Sequence, residues 1–228
     1  MKAIKHLSVL IYGIAILICI VFFNISYANE VLWVGVDLKG APCMAKKIYH
    51  GKIFDYRKDR GPNLAVVEEY HFTRNVQNLR KGNTGDILSD IHYTLEAFPN
   101  HYKALNSLIY YQLIYQSDIK KGVRGAVKPS VECYFKRAIS FFPDDANVEI
   151  LYAVYLKKIK RYKMADKHYQ KAIDKAPENL KYRYIYGLFL IKEKKYSLAK
   201  KEAEIIYSKG FSGQKLKQKL IDVGAWNE

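Results

Sequence analysis

The stretch ANVEILYAVYLKKIKRYKMADKHYQKAIDKAP (residues 146–177) returns in outline as LKYRYIYGLFLIKEKKYSLAKKEAEIIYSKGF (residues 180–211). A shift of 34 residues carries Tyr152 onto Tyr186, Ala153 onto Gly187, Leu156 onto Leu190, Tyr162 onto Tyr196 and Ala165 onto Ala199. The same shift places Phe135, Ala138 and Pro143 on Tyr169, Ala172 and Pro177. Self-similarity at such a period marks a stack of helix pairs, each burying its apolar side on the next. Small residues recur where two helices must approach closely, and large ones recur where the holes are. Proline recurs at the turn between pairs, where its missing N–H and preset φ cost little.

These positions resemble the tetratricopeptide repeat, a helix-turn-helix unit of the same length. The match is fullest from Ala146 to Asn179, through Ala153, Tyr162, Ala165, Tyr169, Ala172 and Pro177. The following unit keeps Gly187, Tyr196 and Ala199 but ends on Ala203, Ile206 and Phe211, as expected of a last repeat whose far side meets no neighbour. Upstream, Pro99 precedes Pro143 by 44 residues, so extra chain belongs in the loop near Ser117–Ala126, where length is tolerated. Before it, Thr73 caps a helix through Leu79, Gly82 ends that helix, and Asp86–Phe98 forms its partner. Gln214–Ile221 alternates basic and apolar residues as a capping helix, ending near Gly224 with Trp226 folded back. The expected fold is all-α: a short solenoid of three to four helix pairs plus the capping helix over residues 71–228. Residues 29–70 read as an irregular N-terminal arm, with short strands at Val31–Val34 and Leu64–Val67.

A narrower resemblance covers most of residues 50–226. His71-Phe72-Thr73, Asp90–Leu95, Phe98–His101, Glu132–Ile139 and Gly224-Ala225-Trp226 look like a group of exported proteobacterial repeat proteins. That likeness implies fold and compartment, and no activity.

The first residues carry an address. Lys2 and Lys5 precede an uncharged apolar run from Leu7 to Phe23, and Ser26 and Ala28 are the small residues a signal peptidase accepts. Residues 1–28 therefore read as a cleaved secretory signal, which implies a periplasmic or otherwise exported protein. The rival is an uncleaved inner-membrane anchor, because residues 7–23 reach the lower limit for spanning a bilayer. Export places Cys43 and Cys133 in an oxidising compartment, where they either pair across a long loop or remain two separate thiols.

The chain has 228 residues, 50% of them apolar, with 20 Tyr and a formal charge of +16, so neither disorder nor a disulfide-dense miniature fold is expected. No Gly-rich phosphate loop, GxSxG, CxxC or closely spaced His pair is present. We therefore expect no enzyme, no cofactor and no metal site. His92 and His101 flank one turn, and Glu68, Glu69 and His71 cluster, without a nucleophile beside them. Lysine pairs such as Lys157-Lys158, Lys194-Lys195 and Lys200-Lys201 favour helix ends or anionic partners, and export removes nucleic acid from the candidates.

In the tetratricopeptide family the first helix of each pair lines a concave surface. The resemblance thus implies a binding face of Asn106, Tyr110 and Leu113, then Asn147, Ile150, Val154 and Lys157, then Lys181, Tyr184, Leu188 and Lys192. Tyr beside Lys suits a protein or peptide in the cell envelope that carries apolar and acidic residues. The alternative is a structural envelope factor whose basic face meets anionic lipid or polymer.

Overall fold

The computed structural model of the chain describes residues 32–45 and 52–226. The leader read at residues 1–28 lies outside them, as does His50. The described chain is mostly helical, an all-α body carrying one small hairpin. Among the described residues no helix is long and apolar enough to cross a membrane.

Two strands open the chain, β1 (Leu32–Val36) and β2 (Pro42–Ala45), paired antiparallel with Trp33 opposite Met44. The turn between them is held by Asp37, whose Oδ1 accepts from the N–H groups of Lys39 and Ala41 at 2.8 and 2.9 Å. A disulfide joins Cys43 of β2 to Cys133, with a Cα–Cα separation of 5.0 Å.

The helices follow as α1 (Pro62–His71), α2 (Arg74–Gln77), α3 (Ile87–Ala97), α4 (Tyr102–Ile114), α5 (Gln116–Lys120) and α6 (Val131–Phe141). After them come α7 (Ala146–Lys158), α8 (Tyr162–Lys175), α9 (Leu180–Lys192), α10 (Tyr196–Ser208) and α11 (Lys215–Asp222). Two expectations for the arm are corrected here. Leu64–Val67 is not a strand, and the partner of β1 is β2. With Pro62 in the first turn, Leu64 and Val67 fall one helical turn apart and both are buried, beside Tyr56, Ala97 and Phe98. The helical body therefore begins at Pro62, and the arm ends before it.

The turns repeat in geometry. Phe98, Phe142 and Ala176 end their helices with φ of −126°, −131° and −142°, each just ahead of a proline that disfavours the helical region for its predecessor. Three residues on, the N–H of His101, Asp145 and Asn179 returns to the carbonyls of Phe98, Phe142 and Ala176 at 2.9, 3.1 and 3.0 Å. The same three residues then cap the next helix: His101 Nδ1 accepts from Ala104 N–H, Asp145 from Asn147 N–H and Asn179 from Lys181 N–H. Inside the pairs, Lys160 and Lys194, two residues past the ends of α7 and α9, take the left-handed region, φ 63° and 57°. Arg161 N–H then reaches Leu156 O at 2.8 Å and Lys195 N–H reaches Leu190 O at 2.9 Å, the paired closure that satisfies the last carbonyls.

Each small residue sits where the helices meet. Ala153, Ala165, Ala172 and Ala199 have no exposed surface. Gly187 faces the capping helix: a Cβ there would lie 2.5 Å from Leu216 Cδ2. Phe135 stacks on Tyr152 at 4.7 Å, and Tyr169 packs on Phe189 at 4.9 Å, so aromatic rings run through the core from pair to pair. Leu216 and Leu220 bury the inner side of α11, and Trp226 folds back edge-on to Tyr207 at 5.9 Å.

Candidate functional site

The first helices α4, α7 and α9 lie side by side. The α4 helix packs on α7, and Tyr182 of α9 donates its hydroxyl proton to Asn147 Oδ1 of α7 at 2.7 Å. A cleft of about 370 Å³ opens at the α4 end of this face, between α2, α4 and α7. Its walls include Gln77, Leu79, Asn106, Tyr110, Ile114 and Leu151. Tyr110 and Ile114 are 43% and 62% exposed, large for apolar side chains, and the ammonium of Lys158 stands 5.6 Å from the Tyr110 ring centre.

The residues expected to project from these helices divide. Asn106 and Tyr110 line the cleft, and Lys181 and Lys192 are exposed. Ile150 is 6% exposed and belongs to the core, which corrects its assignment to the face. The open stripe of α7 instead runs Asn147, Leu151, Val154, Lys158, because a helix of 3.6 residues per turn steps by four as well as three. Leu113, Val154 and Leu188 are half-buried against the core. Tyr184 is also half-buried, its ring 5.0 Å from that of Phe211. Asn147 is engaged by Tyr182, as above.

Charge on this face is one-sided. Lys103, Lys157, Lys158, Lys181, Arg183 and Lys192 come from the three helices, against a single acid, Glu149. Glu149 is 1% exposed and turned inward to His168 Nδ1, at 2.6 Å, and to Lys175. Burial would raise its pKa, but the bonds from His168 and Lys175 hold the carboxyl below its ordinary range. Arg183 is paired with Glu202 at 3.0 Å, whereas no carboxylate among the described residues forms an ion pair with Lys103, Lys157, Lys158, Lys181 or Lys192. Burial, then the ammoniums of Lys192 and Lys158, push Lys157 below the usual lysine value. Cations thus crowd together here across neighbouring pairs.

Elsewhere the titratable groups hold the fold. His101 is fully buried, with Nε2 3.1 Å from Glu68, and burial lowers its pKa against the pull of that carboxylate. His71 meets Asp90 at 3.1 Å, and Asp90 also receives the N–H of Asn83 at 2.6 Å and the hydroxyl of Thr84. His92 Nδ1 lies 2.6 Å from the Tyr134 hydroxyl and Nε2 lies 3.0 Å from Glu96. His92 and His101, which flank one turn, therefore point to separate partners. Among the described residues no group of three or more His, Cys, Asp or Glu is placed to hold a metal ion.

The sequence reading missed the contact by which residues 52–60 bind the body. Arg57 bridges Asp55 and Asp144, and Asn100 donates to Asp55 and Asp145 at 2.7 and 2.8 Å while accepting from Tyr56 N–H at 2.9 Å. Its only sequence signal is the acidic Pro143-Asp144-Asp145 turn facing an isolated Asp-Tyr-Arg. A scan of protein-family models finds no match to the chain, and a search of curated proteins finds none either.

Proposed function

We propose that the chain is an exported scaffold of the tetratricopeptide type that holds an acidic segment of a protein partner along the face of α4, α7 and α9. The reading is carried by the one-sided charge of that face. Five lysines without carboxylate partners among the described residues lie along the three helices, and Lys103 and Lys158 stand at a cleft whose apolar walls, Tyr110 and Ile114, are open. A buried apolar anchor with acidic neighbours would complement both features, the anchor supplying affinity and the charges orientation and speed of encounter. Repeated turns at a period of 34 residues and the close-packed Ala153, Ala165, Ala172 and Ala199 support the repeat assignment. Lys2 and Lys5, the run Leu7–Phe23 and the Ser26–Ala28 site support export.

Affinity capture from envelope extract, followed by titration of the recovered partner, tests the reading. Tyr110→Ala removes the exposed wall of the cleft, and Lys181→Glu with Lys192→Glu reverses charge at exposed positions. Each is expected to keep the helical content and weaken the partner by tenfold or more, an anchor being worth about 2 kcal/mol. Unchanged affinity in all of these folded variants would move the site off this face.

A further inference from the structure

The turns inside the helix pairs form a second charged surface, which shares Lys158 and Lys192 with the end of the face just described and adds Lys160, Arg161, Lys194 and Lys195. Because each pair runs out and back, these turns share one edge of the stack, and the turns between pairs share the other. The α7–α8 turn presents Lys158, Lys160 and Arg161, and the α9–α10 turn presents Lys192, Lys194 and Lys195, all exposed. Among the described residues only Lys195 of these has a carboxylate partner, Asp166 at 2.6 Å, and the one acid within the two turns is Glu193. On the opposite edge the exposed acids Asp144 and Glu178 are matched by cations, Arg57 at 3.0 Å and Lys209 at 2.8 Å. The unmatched charge of these turns therefore lies on the edge of the turns inside the pairs.

Attraction of lysine to helix C-termini accounts for Lys157, Lys158 and Lys192, which lie in the last turns of α7 and α9. It does not account for Lys160 and Lys194. Both stand past the helix end in the left-handed region, where glycine fits without strain and a Cβ is unfavourable. Leu79 takes the same left-handed turn with an apolar side chain, φ 56°, so the geometry itself does not call for lysine, and its recurrence at Lys160 and Lys194 in successive units points to a use for the charge. Beside the two turns stand Tyr162 and Tyr196, both half-buried, and Lys192 reaches 5.6 Å from the Tyr162 ring. Flexible point charges flanked by amphipathic rings suit mobile headgroups at an interface better than the fixed register of a nucleic acid or peptide.

We infer that this edge docks on a bilayer rich in anionic phospholipid, so that the turns between pairs point away and the cleft beside Tyr110 stays open next to the membrane. Association should depend on the bilayer's negative surface potential and fall steeply with salt.

The test is sedimentation of the full chain with vesicles of phosphatidylcholine alone or with about 30% phosphatidylglycerol, at about 50 and 300 mM NaCl. Any contribution of Leu7–Phe23 is common to both lipids and to all variants. The informative variant is K160G/K194G, since glycine takes the left-handed turn and only the charges are lost. K160N/K194N repeats the test with the next most tolerant residue. Wild type should bind the anionic vesicles at low salt and leave them at high salt. Both variants should bind about 10- to 30-fold more weakly, roughly fivefold per lysine, with Tm within about 3 °C of wild type or above it. Equal binding to the two lipids, equal binding by wild type and folded variants, or binding confined to a soluble polyanion such as heparin would overturn the inference. So would a large fall in Tm of both variants, because the lysines would then be serving the turn.

Discussion

Arg57 and Asp144, 87 residues apart, meet through two parallel hydrogen bonds of 3.0 Å, Nη1 to Oδ2 and Nη2 to Oδ1. The same guanidinium donates to Asp55 at 2.6 Å and stands 3.5 Å from Asp145, which is 1% exposed. One side chain thereby ties the segment before α1 to the turn between α6 and α7.

Removing that guanidinium leaves two shielded carboxylates without their cation. Arg57→Ala is expected to destabilise the chain by about 2–4 kcal/mol. Arg57→Lys should recover less than half of this, since an ammonium cannot reproduce the fork. Asp144→Asn, at a largely exposed partner, should cost under about 1 kcal/mol. Urea unfolding of the three variants checks the order, and equal midpoints would show that the clamp is idle.

Acid should loosen the same junction. Burial would raise the Asp55 pKa, but bonds from Arg57 and Asn100 hold it down at about 2, below its ordinary 3.8. A carboxyl depressed in the fold stabilises it fully above the unfolded value, and the gain is lost as pH falls from about 4 to 2. The shift corresponds to about 2 kcal/mol. His101, lowered from 6.5 chiefly by burial, acts with the same sign at higher pH, since the unfolded chain takes up a proton first. Stability should therefore begin to decline below about pH 6.5 and steepen below about pH 4. Melting curves across this range check it, and Asp55→Asn should flatten the lower limb.

The Cys43–Cys133 bond closes a separation of 90 residues and holds β2 on α6. In the chain-entropy model a loop of this length is worth about 4 kcal/mol. Reduction, or Cys43→Ser with Cys133→Ser, should lower Tm by several degrees and open the hairpin turn near Lys39 to proteolysis. Identical melts with and without reductant would exclude a stabilising bond.

Close approach at the small residues predicts overpacking. Gly187→Leu must displace Leu216, and Ala165→Leu enters a site with no exposed surface. Each should cost about 1–3 kcal/mol. Their spectra should differ, because only Gly187→Leu lifts α11 and frees Trp226 from Tyr207, shifting its fluorescence to the red. Lys195→Ala, which loses one partly exposed ion pair with Asp166, should stay under about 1 kcal/mol. A melting temperature equal in all three would mean that the helix contacts are not where the structure has them.

Much of this body is local physics, and so legible in the chain alone. The period of 34 residues, the prolines ahead of each new pair and the capping Asp145 and Asn179 are decided within a few residues of one another. So are the capping position of Asp86 and the inward-facing Leu216 and Leu220. What failed locally failed for identifiable reasons. Leu64–Val67 has an apolar run too short to tell strand from helix, and its burial against Ala97 and Phe98 chose the helix. A step of three from Asn147 puts Ile150 on the open face, and the step of four that exposes Leu151 depends on how α7 is rotated between its neighbours.

From sequence alone follow the helix pairs after Pro99, the excess of lysine on the first helices and the small residues at their contacts, because i to i+4 spacing and turn chemistry act over a few residues. Only the tertiary structure decided that Arg57 reaches Asp144, that Cys43 meets Cys133, that Gly187 receives Leu216, and that Glu149 turns inward to His168 and Lys175. Those contacts join residues far apart in the chain, and no local preference encodes them. They exist because stacking the pairs brings distant surfaces to within a few ångströms, where burial, charge and shape choose the partners.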